Sequence, residues 1–209
     1  MLIPISILAV FFSTSIILAL APGPDNIFVL TQSAIRGRLA GWVITLGLCT
    51  GLIGHTLLVS SGVAVIFNAS PMAFTSLKVA GGAYLMYLAF LAFRASAAKL
   101  SPSDNGGASL FQLYRRGIIM NMTNPKVSIF FLSFLPQFAN PERGPVMLQI
   151  VTLGFVFMIS ALLVFGMISL FAGSLGGRLQ QSPKAQNIMN RIAAMVYMAL
   201  AVKLLSAEM

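Results

Sequence analysis

Six long apolar runs separated by short polar stretches constrain this chain more than any other feature. They cover roughly residues 2–35, 41–67, 72–93, 117–138, 146–173 and 188–205. Crossing a bilayer as a helix takes about 20 mostly apolar residues, and each run is of that order. Segments such as Ile150 to Phe157 and Val196 to Val202 do not alternate apolar with polar residues, so they read as helices rather than barrel strands. The supply of charge agrees. Only 8% of the 209 residues are charged, 58% are hydrophobic and the mean hydropathy is +0.93. A soluble domain carries about 25% charged residues and could not cover its surface with so few. The apolar content excludes a disordered chain, and the lone Cys49 excludes a disulfide scaffold. The expectation is an all-α integral membrane protein with six transmembrane helices, embedded in lipid as a single domain over residues 1–209.

The net charge of +9 would suggest nucleic acid in a soluble domain, but the basic residues form no face. They sit in small groups between the apolar runs, where they act as topology signals. Arg36, Arg38, Arg94, Lys99, Arg115, Arg116, Arg178, Lys184 and Arg191 fall on one side of the predicted membrane, and only Lys78, Arg143 and Lys203 on the other. The richer side is cytoplasmic by the positive-inside rule, which places both termini outside the cytoplasm. The N-terminal run lacks a basic leader and is long, so it reads as a retained span rather than a signal peptide. In a bacterium the membrane would be the inner one.

The longest polar stretch, about residues 95–114, divides the chain into halves of three spans each, about 1–94 and 115–209. An odd number of spans per half makes the second half enter from the opposite side, as a 3+3 inverted repeat. One feature recurs between the halves. The first span of each is interrupted by proline and a charged residue, Pro22-Gly23-Pro24-Asp25 in one and Asn124-Pro125-Lys126 in the other. Interrupted apolar segments at corresponding positions are the best pointer in a sequence to a transport site. Asp25 precedes Arg36 by 11 residues and Lys126 follows Arg116 by 10, so at about 1.5 Å per residue both lie roughly 15–16 Å from the cytoplasmic edge. That is half of a hydrocarbon core about 30 Å thick.

Pro22, Gly23, Pro24 and Pro125 matter through the backbone, because a broken helix frees N–H and C=O groups that must meet protein, water or solute. A half-helix starting near Asp25 would aim free N–H groups at a solute carboxylate. Asp25 has two readings, a site residue or an N-terminal cap, and one residue can be both. Lys126 reads either as a site residue paired with Asp25 or as a side chain snorkelling to water. His55 could relay protons, but bonding to a neighbouring helix is the plainer reading. Asn121, Thr123, Asn124 and Ser128 add polar atoms at the second break. Glycines at four-residue spacing, Gly37, Gly41, Gly47, Gly51 and Gly54, and the pair Gly81 and Gly82, read as close helix contacts that would also permit a homodimer. Trp42 and Tyr114 read as interfacial anchors, and the phenylalanines and methionines as core and lipid-facing residues. No metal-ligand cluster, cofactor motif, phosphate loop or catalytic constellation appears, so the chain does not read as an enzyme.

Three segments carry a resemblance: Pro22-Gly23-Pro24-Asp25, then Gly81-Gly82-Ala83-Tyr84-Leu85 with Tyr87-Leu88, then Asn121-Met122-Thr123-Asn124-Pro125-Lys126. In this order and spacing the chain resembles the LysE superfamily of exporters, most of all its homoserine/threonine-exporter (RhtB) branch, over nearly its whole length. The resemblance implies export of amino acids from the cytoplasm driven by the proton motive force. It maps the two family signatures onto Pro22, Gly23 and Pro24 and onto Asn124, Pro125 and Lys126, and it admits Asn where this chain has Asp25. The expected function is proton-coupled export of small amino acids by alternating access, with Asp25 titrating. The competing readings are an exporter of another solute or cation, against which the lack of clustered ligands counts, and a non-transporting membrane scaffold, against which Asp25 and Lys126 count.

Overall fold

The computed structural model describes residues 2–69, 71–95, 107–172 and 182–206. Among these residues every regular element is helical. The elements are α1 (Ile5–Leu20), α2 (Pro24–Arg36), α3 (Arg38–Ala69), α4 (Pro71–Arg94), α5 (Leu110–Met122), α6 (Pro125–Ile129), α7 (Val146–Phe171) and α8 (Pro183–Ser206). A π-helical turn, Phe130–Phe134, and a 3₁₀ turn, Leu135–Phe138, continue α6. The surface is as apolar as the core, unlike that of a soluble protein. Large apolar residues such as Leu20, Leu58, Phe93, Phe155 and Met195 face outward, while Asp25, Lys126, Asn121 and Gln149 are buried. Such a surface is stable only against hydrocarbon.

α3, α7 and the later part of α8 are each long and apolar enough to cross a membrane. Two further crossings come from bent pairs: α1 with α2, bent by 62°, and α5 with the segment Pro125–Phe138, bent by 49°. Both bends fall where the sequence places them, and proline explains both. Pro24 and Pro125 each occupy the first turn of the following half-helix, where a missing N–H costs nothing. The protein is thus a multi-pass membrane protein with two broken helices.

Several boundaries differ from expectation. α5 starts at Leu110 rather than near residue 117, because Ser109 and Gln112 form a reciprocal capping box: Gln112 N–H donates to Ser109 Oγ at 3.3 Å, and Ser109 N–H to Gln112 Oε1 at 2.8 Å. Arg115 and Arg116 therefore lie within a helix, and Arg116 stacks its guanidinium over Phe28 at 4.8 Å. Gly37 is a turn glycine rather than a helix contact. Its φ of 85° ends α2, and a side chain there would touch nothing. Residues 96–106, holding much of the expected linker, lie outside the described residues, as do Arg178 and Gly173.

α3 is the hub, packed along α5 and α7, and α4 pairs with α8. The remaining glycines show how the hub is made. A Cβ on Gly47 would collide with the Tyr114 carbonyl and stand 3.2 Å from Gly117 Cα, so α3 and α5 cross backbone to backbone. Gly51 accommodates Asn121, Gly54 accommodates Met122, and on α7 Gly154 and Gly166 accommodate Thr56 and Trp42. Small residues permit such approach where lipid on both sides removes any hydrophobic drive to associate. Trp42 thus packs between helices, and Tyr114 Oη shares a 2.8 Å hydrogen bond with Thr50 Oγ1.

Candidate functional site

The two breaks meet. Lys126, only 7% exposed, donates from Nζ to the carbonyl oxygen of Ala21 at 3.1 Å, joining the second break to the last residue before the first. Burial rules out the snorkelling reading. Gly23 permits the approach, since a Cβ there would lie 3.1 Å from Lys126 Nζ. The half-helix α6 is positioned by Asn124, whose Oδ1 accepts from Lys126 N–H at 3.0 Å, with Pro125 fixing the first turn.

Asp25 is 2% exposed and lies in the first turn of α2. It is not the cap: Gly23 holds that position and no side chain satisfies it. The carboxylate is instead faced by Lys126, by the amides of Asn124 and Asn121, and by His55. The direct ion pair expected from the sequence is loosened. The two charges lie within electrostatic reach, but the ammonium hydrogen-bonds the Ala21 carbonyl and Asp25 Oδ1 has no hydrogen-bond partner. Asn121 Oδ1, Asn124 Nδ2 and Asn26 Oδ1 are likewise buried and unpartnered. Asn26 serves the break through its other atom, Nδ2, which donates to the Ala19 carbonyl at 2.6 Å and pins α2 to the end of α1.

His55, from α3, sits at the edge of this cluster. Its Nε2 is 3.2 Å from the Asn121 carbonyl oxygen and its ring lies 5.7 Å from that of Phe131. The plainer reading of His55, bonding to a neighbouring helix, is the one observed. Ser128 Oγ donates to the Asn124 carbonyl, and Thr123, exposed, to that of Ile119, so both satisfy backbone of the break or of the turn before it. Among the described residues no three His, Cys, Asp or Glu side chains gather. Beyond the site a stack of aromatic rings closes the interior, with Phe130 against Phe134, Phe157, Phe11 and Phe131 at 4.9–6.3 Å between ring centres. Sequence reasoning missed Asn26, Gln32 and Ser33. The signal was available, since Gln32 and Ser33 lie seven and eight residues after Asp25, at helical spacing, and Asn26 is a further polar residue beside it in an apolar stretch.

Two broken helices meeting inside a lipid-facing bundle, with opposite charges and polar atoms at the junction, are an arrangement that secondary transporters use, and the family match places the chain in that class. Residues 16–208 match the family described as LysE type translocator, and the chain belongs to that family. It is 31% identical over 202 residues to the homoserine/homoserine lactone efflux protein of Salmonella typhi, covering 95% of each chain. An uncharacterized membrane protein of Vibrio cholerae is 29% identical over 95% of this chain and 96% of its own. The leucine efflux protein of Salmonella choleraesuis is 30% identical over 134 residues, covering 62% of this chain and 63% of its own. No solved structure matches the chain.

Proposed function

We propose that the protein is a secondary exporter of small amino acids across the inner membrane of a bacterium, working by alternating access around the two breaks and exchanging its cargo for protons. The observation that carries this reading is the junction itself: Asp25, Lys126, Asn121 and Asn124 are buried together at the two breaks, with several of their polar atoms unpartnered. Burying such groups costs about 1–3 kcal/mol each unless a function or ligand meets them. Lys126 and the Asn124 amide suit a carboxylate, and Asp25 with Asn121 Oδ1 suits an ammonium, so the set matches both ends of an amino acid. Relatives named for efflux of homoserine and of leucine support the cargo class.

The arrangement we favour is six spans in a 3+3 inverted repeat, with α4 as the sixth crossing and both termini outside the cytoplasm. The packing supports it: α3 pairs with α7 and α4 with α8, and the contact of α5 with α3 is matched by that of α1 with α7. Lys126 then lies between the halves, and Asp25 is the group that takes up and gives back the proton.

The test is uptake of radiolabelled homoserine, threonine and leucine into inverted vesicles under an imposed pH gradient. Gradient-dependent accumulation of at least one is expected, and no flux of any amino acid overturns the reading. Asp25→Asn tests the coupling separately. It is expected to retain equilibrating flux while losing stimulation by the gradient, and undiminished stimulation removes Asp25 from the proton's path.

A further inference from the structure

The polar face of α2 does not stop at Asp25. Seven and eight residues on, Gln32 and Ser33 return to the same side of the helix, about 10–12 Å closer to Arg36. They are 1% and 2% exposed, and both Gln32 Oε1 and Ser33 Oγ lack a hydrogen-bond partner. The face packs on α3 and α7. Gly41 stands directly across from Ser33, since a Cβ there would strike Ser33 Oγ and come within 2.8 Å of Ser169 Cβ. The neighbouring hydroxyls are committed elsewhere: Ser169 donates to the Phe165 carbonyl and Thr45 to the Gly41 carbonyl, each at 2.8 Å. Neither donates to Ser33. Ser33 is small enough for this close contact, but Gln32 brings a long polar side chain where packing needs none, whereas the outward face carries exposed Ile27 and Ile35.

The contrast with the other side of Asp25 is what gives the strip a direction. There the space is filled by the Phe11, Phe130, Phe134 and Phe157 rings, and the charge against them is the Lys203 ammonium, 5.9 Å over Phe134, which would repel a cation. Among the described residues, the unpartnered polar atoms beyond the junction of Asp25, Asn26, Asn121 and Asn124 are those of Gln32 and Ser33, toward the Arg36 end, where Arg36 Nη1 bonds the Ala108 carbonyl at 2.7 Å. Asp25 Oδ1 and Gln32 Oε1 are acceptors, and a serine hydroxyl can accept.

We infer that the strip from Ser33 through Gln32 to Asp25, covered in this structure by Gly41 of α3 and Ser169 of α7, is the access route by which an ammonium-bearing solute passes between the site and the membrane face at Arg36 when these helices part. The inference rests on the reading of the two breaks as the transport site. Along it, Gln32 and Ser33 replace water around the ammonium in turn; in this structure α3 shuts the route, because Gly41 presses directly against Ser33 and Ser169, and passage requires the helices to part there.

The experiment uses the full chain with Cys49→Ser as background, adding Ser33→Cys, Gln32→Cys or, on the outward face, Ile27→Cys. Inverted and right-side-out vesicles are treated with a membrane-impermeant methanethiosulfonate bearing a trimethylammonium group, and adducts are counted by intact mass. Ser33→Cys and Gln32→Cys are expected to react from the Arg36 face alone, at least tenfold faster than Ile27→Cys, and to be slowed by millimolar homoserine. The inference is overturned if both thiols stay unmodified from either face in protein that unfolds at the parent temperature, or if Ile27→Cys reacts as fast. Labelling without any amino acid flux would sustain the route and sink the exporter reading. Flux with silent thiols would sink the route alone.

Discussion

The crossing of α3 over α5 allows a prediction whose sign is opposite to the usual one. Replacing a helical glycine by alanine ordinarily stabilises by about 1 kcal/mol, because alanine loses less backbone entropy. At Gly47 the added methyl would overlap the Tyr114 carbonyl oxygen, stand 3.1 Å from its carbon and 3.2 Å from Gly117 Cα. Carbon atoms pack best at about 3.5–4.0 Å, and all three obstacles are backbone, so the helices themselves must part by several tenths of an ångström. Overpacking of this kind costs about 1–3 kcal/mol. Taking a net 2 kcal/mol, and about 2–4 °C per kcal/mol for a chain of this size, Gly47→Ala should lower the melting temperature by about 4–8 °C. Gly62, also on α3 but with nothing within 4 Å of an added Cβ, is the control and should not fall. Thermal unfolding of both variants in the same detergent, followed by the fluorescence of Trp42, is the assay. Equal melting temperatures for Gly47→Ala and Gly62→Ala would refute the backbone-to-backbone crossing.

Gly23→Ala meets only the end of a flexible side chain, Lys126 Nζ at 3.1 Å, so it should leave the melting temperature within about 2 °C while cutting amino acid flux severalfold by pushing the ammonium aside. Asn26→Leu removes the 2.6 Å bond to the Ala19 carbonyl at the first break, and should destabilise by about 1–3 kcal/mol, read as a lower melting temperature. Lys126→Met keeps the length of the side chain but strips the Ala21 carbonyl of its donor. Flux in vesicles should fall below a tenth of the parent value, and retention of half would remove Lys126 from the site.

Both breaks were legible in the sequence because proline acts through local geometry: Pro24 and Pro125 dictate where a half-helix starts whatever surrounds them. The matching depth of Asp25 and Lys126 followed from counting residues, and the two breaks do touch. The atoms that make the contact did not follow. Lys126 bonds a carbonyl 105 residues away rather than the nearest opposite charge, a choice set by how Gly23 and Asn124 shape the approach. The start of α5 was misplaced because Leu110–Arg116 is too charged to look like a span, although Ser109 and Gln112 carry a capping-box spacing. The π-helical turn at Phe130–Phe134 has no signal in a run of phenylalanines, since it arises from how that segment packs against its neighbours. Glycine spacing announced close contacts, but only the folded chain distinguishes Gly47, pressed on a backbone, from Gly37, which turns one.

The bond between Lys126 and Ala21 also has a timetable. The two residues are separated by 105 positions. At roughly 5–20 residues per second of synthesis, the first break exists for about 5–20 s before its partner is made. During that interval a carboxylate and a bare carbonyl would face lipid, at a cost of several kcal/mol per group. The N-terminal half is therefore a poor lodger in the bilayer by itself, and the insertion machinery must shelter it until the ribosome delivers the other half. A messenger truncated between the halves should yield a product that is cleared rather than stored.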